Sequence, residues 1–163
     1  MGSVSHTVGR EAPVGVERLF DTVVAEDVLP RVLRRWGPVP AVTGTRDLSG
    51  PWDRAGSSRT VLLADGNTAR EQVVRWERPR LFEYRIDRFT SAIARFVDHG
   101  TGRWEFAAMP GGSRLTWTYT FTTRGALSAA LIAPFVRTVW GRYMAQCADL
   151  CVRLAAGEAA PEG

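Results

Sequence analysis

Lysine is absent from this sequence, and all 21 basic residues are arginine. Against 17 acids they leave a formal charge of +4. They are scattered among carboxylates, as in Arg70-Glu71, Glu77-Arg78 and Asp87-Arg88. The densest runs, Arg31/Arg34/Arg35 and Arg75/Arg78/Arg80, lack interleaved aromatics and match no recognition helix, so nucleic-acid binding is not expected. An arginine-only cation set reflects the codon bias of a GC-rich genome better than a binding surface. Histidine is almost as scarce, with only His6 and His99, and so is cysteine, with only Cys147 and Cys151. Two cysteines four apart on a helix share a face but diverge too far for a comfortable disulfide. No further Cys or His lies near them in sequence to complete a zinc set, so they read as small core hydrophobes. The longest apolar run, Ala126 to Val136, is interrupted by Ser128 and Pro134 and falls short of the ~20 residues of a membrane span. The first ten residues carry no apolar h-region. A cytoplasmic protein without stable membrane insertion is the expectation. Nucleophile elbow, zincin, Walker and dinucleotide signatures are all missing, and no cofactor or metal is expected. Gly100-Thr101-Gly102 is only a fragment of a phosphate loop.

What the chain does have is apolar bulk and periodicity. Its 163 residues, 45% hydrophobic with six tryptophans, suit one domain spanning 1–163, with a core over about 3–155 and a frayed end at 156–163. A chain of this size buries roughly 68–70% of its unfolded surface and needs no staples. Val4, His6 and Val8 alternate as a short first strand. Pro13 marks a helix start whose apolar face is Val16, Leu19, Phe20 and Val23. A second short helix is expected over Val28–Arg35, stopped by Gly37-Pro38. Val42–Leu48 reads as a weak strand and Gly50–Gly56 as a loop. Strands at Arg59–Leu63 and Thr68–Trp76 flank the hairpin signal Asp65-Gly66. Leu81–Phe89 follows, and Thr90–Gly100 is poorly defined. Arg103–Met109 and Arg114–Thr122 then flank Pro110-Gly111-Gly112, with Leu115, Trp117, Tyr119 and Phe121 alternating against threonines. The chain ends in helix. Pro134 either kinks it or opens a new segment, and Val136, Trp140, Tyr143, Cys147, Leu150 and Leu154 form its apolar stripe.

A sheet with a one-sided aromatic face must cover that face, and only the last helix is long enough to do so. The predicted fold is therefore α+β helix-grip: a curved antiparallel sheet of about seven strands wrapped around a long C-terminal helix, with two short helices after strand 1. Over about residues 3–155 the sequence resembles the START-like helix-grip superfamily (SRPBCC), in its polyketide cyclase/dehydrase branch. The resemblance rests on Glu11-Ala12-Pro13, Gly56-Ser57-Ser58-Arg59, Asp65-Gly66, Glu71 and Gly112–Thr118. It implies a hydrophobic cavity for a lipid-like, polyketide or aromatic small molecule. In such a cavity some relatives catalyse cyclisation, aromatisation or dehydration, and others only bind and carry.

The expected ligand-binding residues are Tyr84, Trp104, Trp117, Tyr119, Trp140 and Tyr143, whose indole and phenol groups need polar partners if buried. The catalytic candidates are Arg59, Glu71, His6 and Tyr119. Arg59 and Glu71 fall on one face of adjacent strands if the turn keeps an even register, where Arg59 would fix a carboxylate or polarise a carbonyl while Glu71 takes a proton. The apolar face of the next hairpin groups Val74 and Trp76 with Phe82 and Tyr84, a parity opposite to Glu71. That parity favours a solvated salt bridge. His6 shares parity with Val4 and Val8, and local packing is its favoured reading. His99 lies in a polar turn and is expected to be solvated. Ala126–Phe135 is either an apolar lip over the cavity or ordinary packing. The ligand's identity, the presence of any catalysis and the oligomeric state stay open.

Overall fold

The computed structural model describes residues 1–158. The chain runs through β1 (Gly2–Ala12), α1 (Val16–Val23), α2 (Leu29–Val32), β2 (Val42–Arg46), β3 (Ser58–Leu63) and β4 (Thr68–Glu77). It continues through β5 (Leu81–Asp87), β6 (Val97–Met109), β7 (Gly112–Thr123), α3 (Ala126–Phe135) and α4 (Gly141–Ala155). A single 3-10 turn, Ala92–Arg95, precedes β6. The seven strands form one antiparallel sheet in the order β1-β7-β6-β5-β4-β3-β2. The expected helix-grip architecture is the one observed.

The best-patterned strand does what its alternation dictates. In β7, Leu115, Trp117, Tyr119 and Phe121 are buried, and Thr116, Thr118, Thr120 and Thr122 lie on the outer face. There Ser5 and Thr7 share hydroxyl hydrogen bonds with Thr120 and Thr118, both at 2.8 Å. The tight Pro110-Gly111 turn sets Trp104 opposite Trp117 and Phe106 opposite Leu115. The two indoles stack with centroids 4.4 Å apart, a geometry that adds about 0.5–1.5 kcal/mol beyond area burial. Gly66, at φ 85, supplies the left-handed residue of the β3–β4 turn.

Several boundaries move for identifiable reasons. The first strand extends from Val4–Val8 to Gly2–Ala12, because β7 offers a partner to every residue along it. The second helix shrinks to Leu29–Val32. The undefined stretch before Gly100 is the 3-10 turn plus the start of β6, bent by a register shift between Val97 and His99. His99 is not fully solvated: its side chain is 16% exposed and holds Asp98 at 2.8 Å.

The terminal helices run without a break from Ala126 to Ala155, with Pro134 inside α3. Proline lacks the N–H that would bond the preceding turn. Just beyond it, the backbone widens into a π-turn over Val136–Trp140. A π-turn takes in one extra residue per turn. Of the expected stripe, Val136, Tyr143 and Cys147 are buried, while beyond Cys147 the contact face follows steps of four to Cys151 and Ala155. Gly141, Met144 and Ala148 are buried beside them, and Leu150 and Leu154 are half-buried at the margin. α4 packs along β1 and against α1 and α2. The end expected to fray at 156–163 lies mostly outside the described residues. Within them, Gly157 and Glu158 close the helix through N–H bonds to Leu154 and Arg153 carbonyls.

Candidate functional site

Sheet and terminal helix do not meet everywhere. Between them lies a cavity of about 530 Å³, well within the size range of small-molecule pockets. Its long aromatic wall comes from β5, β6 and β7, through Tyr84, Trp104, Trp117 and Tyr119. Trp140 of the π-turn, with Tyr143, Cys147 and Cys151 of α4, faces them. α2 and the Pro38-Val39-Pro40 loop contribute aliphatic side chains.

Two glycines explain how four large rings line a space without filling it. A Cβ at Gly102 would sit 2.0 Å from Cζ of Tyr84, and one at Gly100 would sit 2.1 Å from the Tyr119 hydroxyl. The missing methyls let both rings lie down on β6, as aromatics do over strand glycines. Gly100 and Gly102 are thus ring seats and not part of a phosphate loop.

Arg59 and Glu71 are the buried charges of this cavity. They are direct partners across β3 and β4, with side chains only 2% and 4% exposed. The expectation of a solvated salt bridge fails because of a β-bulge. Between Val73 and Arg75 the register to β5 shifts, so Val73 pairs with Tyr84 while Trp76 pairs with Phe82. The extra residue, Val74, is turned out and 49% exposed. Parity counted back from Trp76 therefore inverts at the bulge and brings Glu71 inward.

The Arg59 side chain is held on three sides. Its Nε donates to Oε2 of Glu71 at 2.7 Å, and its Nη1 donates to the Glu26 carbonyl at 2.6 Å. The guanidinium lies over the Trp52 ring, 3.7 Å from its centroid, a cation–π contact that strengthens when desolvated. Oε1 of Glu71 accepts no hydrogen bond among the described residues. Burial pushes the Glu71 carboxyl above its ordinary range, outweighing the attraction of Arg59. A carboxylate so placed is a stronger proton acceptor than one in water.

The phenols are displaced further. Desolvation raises Tyr84, Tyr119 and Tyr143 well above the ordinary tyrosine range. At neutral pH they are hydrogen-bonding phenols and not bases. Burial likewise keeps Cys147 a thiol, reinforced by its neighbour Cys151, and both cysteines are free. The indole N–H groups of Trp117 and Trp140 are buried without a hydrogen-bond partner among the described residues. Trp117 lies near enough to the Tyr84 hydroxyl to moderate its rise, but closes no hydrogen bond to it. Orphan buried donors in native proteins call for an explanation.

All six aromatics named from the sequence lie on this cavity, together with Arg59 and Glu71. His6 does not line it. Its imidazole packs on the backbone of Gly141, where an added Cβ would sit 2.7 Å from Nε2. Trp52 was missed because it lies in the Gly50–Gly56 loop, outside any periodic element, yet it is 5% exposed and seats Arg59. A tryptophan within a Gly/Pro-rich loop was the available signal. The cysteines, read as core hydrophobes, also form cavity wall.

A sheet gripping a terminal helix around a largely apolar chamber defines a helix-grip cavity protein. The chain belongs to the family described as polyketide cyclase / dehydrase and lipid transport, whose profile matches residues 1–156. A search of curated proteins by sequence finds no match. Among solved structures, the chain is similar to Ara h 8.0201, with 17% identity and TM-score 0.74, covering 96% of this chain and 100% of the other. It is also similar to norcoclaurine synthase from Thalictrum flavum, determined with dopamine and hydroxybenzaldehyde. There the identity is 10% and the TM-score 0.72, over 98% and 90% of the two chains. The di-domain ARO/CYC BexL from the BE-7585A biosynthetic pathway matches at 20% identity and TM-score 0.66. That match spans 98% of this chain and 51% of BexL. At these identities the similarity establishes the fold.

Proposed function

We propose that the protein binds a hydrophobic, oxygenated ring compound or polyketide-like chain in this cavity and catalyses its cyclisation with loss of water. The observation that carries the reading is a carboxylate–guanidinium pair buried in the wall of an otherwise apolar chamber, with one carboxylate oxygen unbonded. In the proposed step, Glu71 takes a proton from a methylene flanked by carbonyls, while a free N–H of Arg59 bonds the oxygen that gains charge. The resulting enolate carbon closes on a second carbonyl of the same folded chain, and the new alkoxide recovers the proton from Glu71. Glu71 then removes a second α-proton and returns it to the departing hydroxyl, so one water leaves and the carboxylate is restored. Confinement supplies the remainder, since the chamber holds a flexible substrate in its reactive fold.

The unpartnered indoles favour an oxygenated ligand over a plain acyl chain. Trp117 and Trp140 carry buried N–H donors on rings of the cavity wall, which a small ring rotation would aim at a ligand oxygen and which an alkyl tail cannot satisfy. The solved ARO/CYC and norcoclaurine synthase structures share the fold that this chemistry would use. One observation supports a second reading, non-catalytic carriage of a hydrophobic ligand. Arg59 is also bonded to the Glu26 carbonyl, so the pair stitches β3 to the α1–α2 connection.

Native mass spectrometry of freshly purified protein, followed by turnover assays on precursors of any co-purified compound, separates the two. The catalytic reading expects Glu71→Gln to keep the ligand while turnover falls about 10²–10⁴-fold, the usual share of general base catalysis. Unchanged turnover in that variant retires Glu71 as the base. A bound compound with no turnover of any precursor leaves the carrier.

A further inference from the structure

A helix that is apolar on every side is normally buried. α3, Ala126-Leu-Ser-Ala-Ala-Leu-Ile-Ala-Pro-Phe135, carries no charged residue, yet only Ile132 among its ten residues is buried. Leu127 is 76% exposed and Leu131 is 60% exposed, with Ala130 and Pro134 exposed beside them. Continuing at helical spacing, the same stripe reaches Arg137, Thr138 and Arg142, all exposed. Neither arginine forms an ion pair among the described residues. Arg124, at the other end, donates to the Ala94 carbonyl and leaves its charge exposed at the start of the helix. No acidic residue occurs between Glu105 and Asp149. The surface is therefore two leucines on an uncharged helix, flanked by exposed guanidinium groups, of which Arg124 also feels the Asp98 carboxylate while Arg137 and Arg142 have no ion-pair partner among the described residues. Phe135, in the last turn of α3, lines the cavity.

We propose that α3 docks the protein on an anionic lipid bilayer, with Leu127 and Leu131 entering the interface and Arg124, Arg137 and Arg142 facing lipid phosphates. Apolar penetration combined with basic flanks is the recipe of interfacial helices. It needs no membrane-spanning segment, and no helix among the described residues is long and apolar enough to be one. The docked face adjoins the cavity, so a compound dissolved in the bilayer would meet the chamber without crossing bulk water.

Flotation with vesicles tests this. Purified protein is expected to float with vesicles of 70% phosphatidylcholine and 30% phosphatidylglycerol, and to bind pure phosphatidylcholine at least tenfold more weakly. Raising the salt to 1 M should release it, because screening shortens to a few ångströms. Leu127→Ser/Leu131→Ser should lower binding at least tenfold. Arg137→Gln/Arg142→Gln should lower it by about fivefold per charge removed. All four positions are exposed, and circular dichroism verifies that each variant is folded. Equal binding to neutral and anionic vesicles, or no loss in the leucine variant, overturns the proposal. So does a dimer in sedimentation that the leucine variant dissolves, because α3 is then the seat of a second copy. Absence of vesicle binding alongside salt-sensitive capture of an acidic protein likewise overturns it.

Discussion

The two ends of the cavity are built on opposite rules. At the β3–β4 end, the charged group has its partners: Arg59 bonds Glu71 and the Glu26 carbonyl and lies on Trp52. At the β7–α4 end, the polar groups lack them, since the Trp117 and Trp140 N–H groups close no hydrogen bond among the described residues and the Tyr119 and Tyr143 phenols are held protonated by burial. The first end is a charge pair that holds itself in place without a ligand, leaving one Glu71 oxygen and one Arg59 N–H group for a substrate. The second resembles half of a hydrogen-bonding interface. The contrast teaches that orientation and chemistry are divided between the ends, with ligand oxygens recruited at one and protons handled at the other.

The contrast breaks most severely at Arg59. Arg59→Ala leaves Glu71 buried and unpaired, a change that costs about 3–5 kcal/mol in comparable buried pairs. Replacing both residues by methionine should be close to neutral in stability and abolish turnover. Urea denaturation of the two variants checks this, and equal destabilisation in both would mean that the pair contributes by shape rather than by charge.

Gly102→Ala comes next, because the new methyl collides with Cζ of Tyr84 at 2.0 Å. Overpacking of this kind costs about 1–3 kcal/mol. Tyr84 has only the chamber to move into, so affinity for an aromatic probe should fall along with the melting temperature. A lower melting temperature with undiminished affinity would show that the ring moved elsewhere.

Trp140→Phe acts at the unpartnered end. Removing an unsatisfied donor should leave stability within about 1 kcal/mol of wild type while weakening a quinone ligand more than a hydrocarbon of the same size. Calorimetric titration with an anthraquinone and with anthracene compares them. Equal losses would assign Trp140 to packing alone.

The smallest effect is pH-dependent. Burial places the Glu71 pKa in the folded protein above its unfolded value. The stability this confers is therefore fully present below the ordinary carboxylate range and is lost as pH rises through the folded pKa. Wild type should lose stability relative to Glu71→Gln as pH climbs from acid towards neutral. A gain over the same interval would show that the attraction of Arg59 outweighs desolvation.

What was legible in advance follows from which residues obey a single period. β7 alternates strictly over Leu115–Thr122, and the Asp65-Gly66 and Pro110-Gly111 turns announce themselves, so the sheet and its aromatic wall could be placed. One feature was hidden where an extra residue enters. The bulge at Val74 inverts parity between Trp76 and Glu71, which turned a buried pair into an apparent surface bridge. In α4 the buried stripe steps by four from Cys147 to Cys151 and Ala155, where a step of three pointed to Leu150 and Leu154. Neither leaves a mark in composition, because only pairing across the sheet and packing against the helix reveal it. Trp52 was invisible for a different reason, since a loop has no period from which to infer a facing direction.

The most direct test is titration of the protein with 1,8-dihydroxyanthraquinone, following tryptophan fluorescence, with stearate as the competitor. Four of the six tryptophans border the chamber. The account predicts saturable one-to-one quenching that stearate reverses only at tenfold or greater excess. Failure of the quinone to bind at all would contradict it.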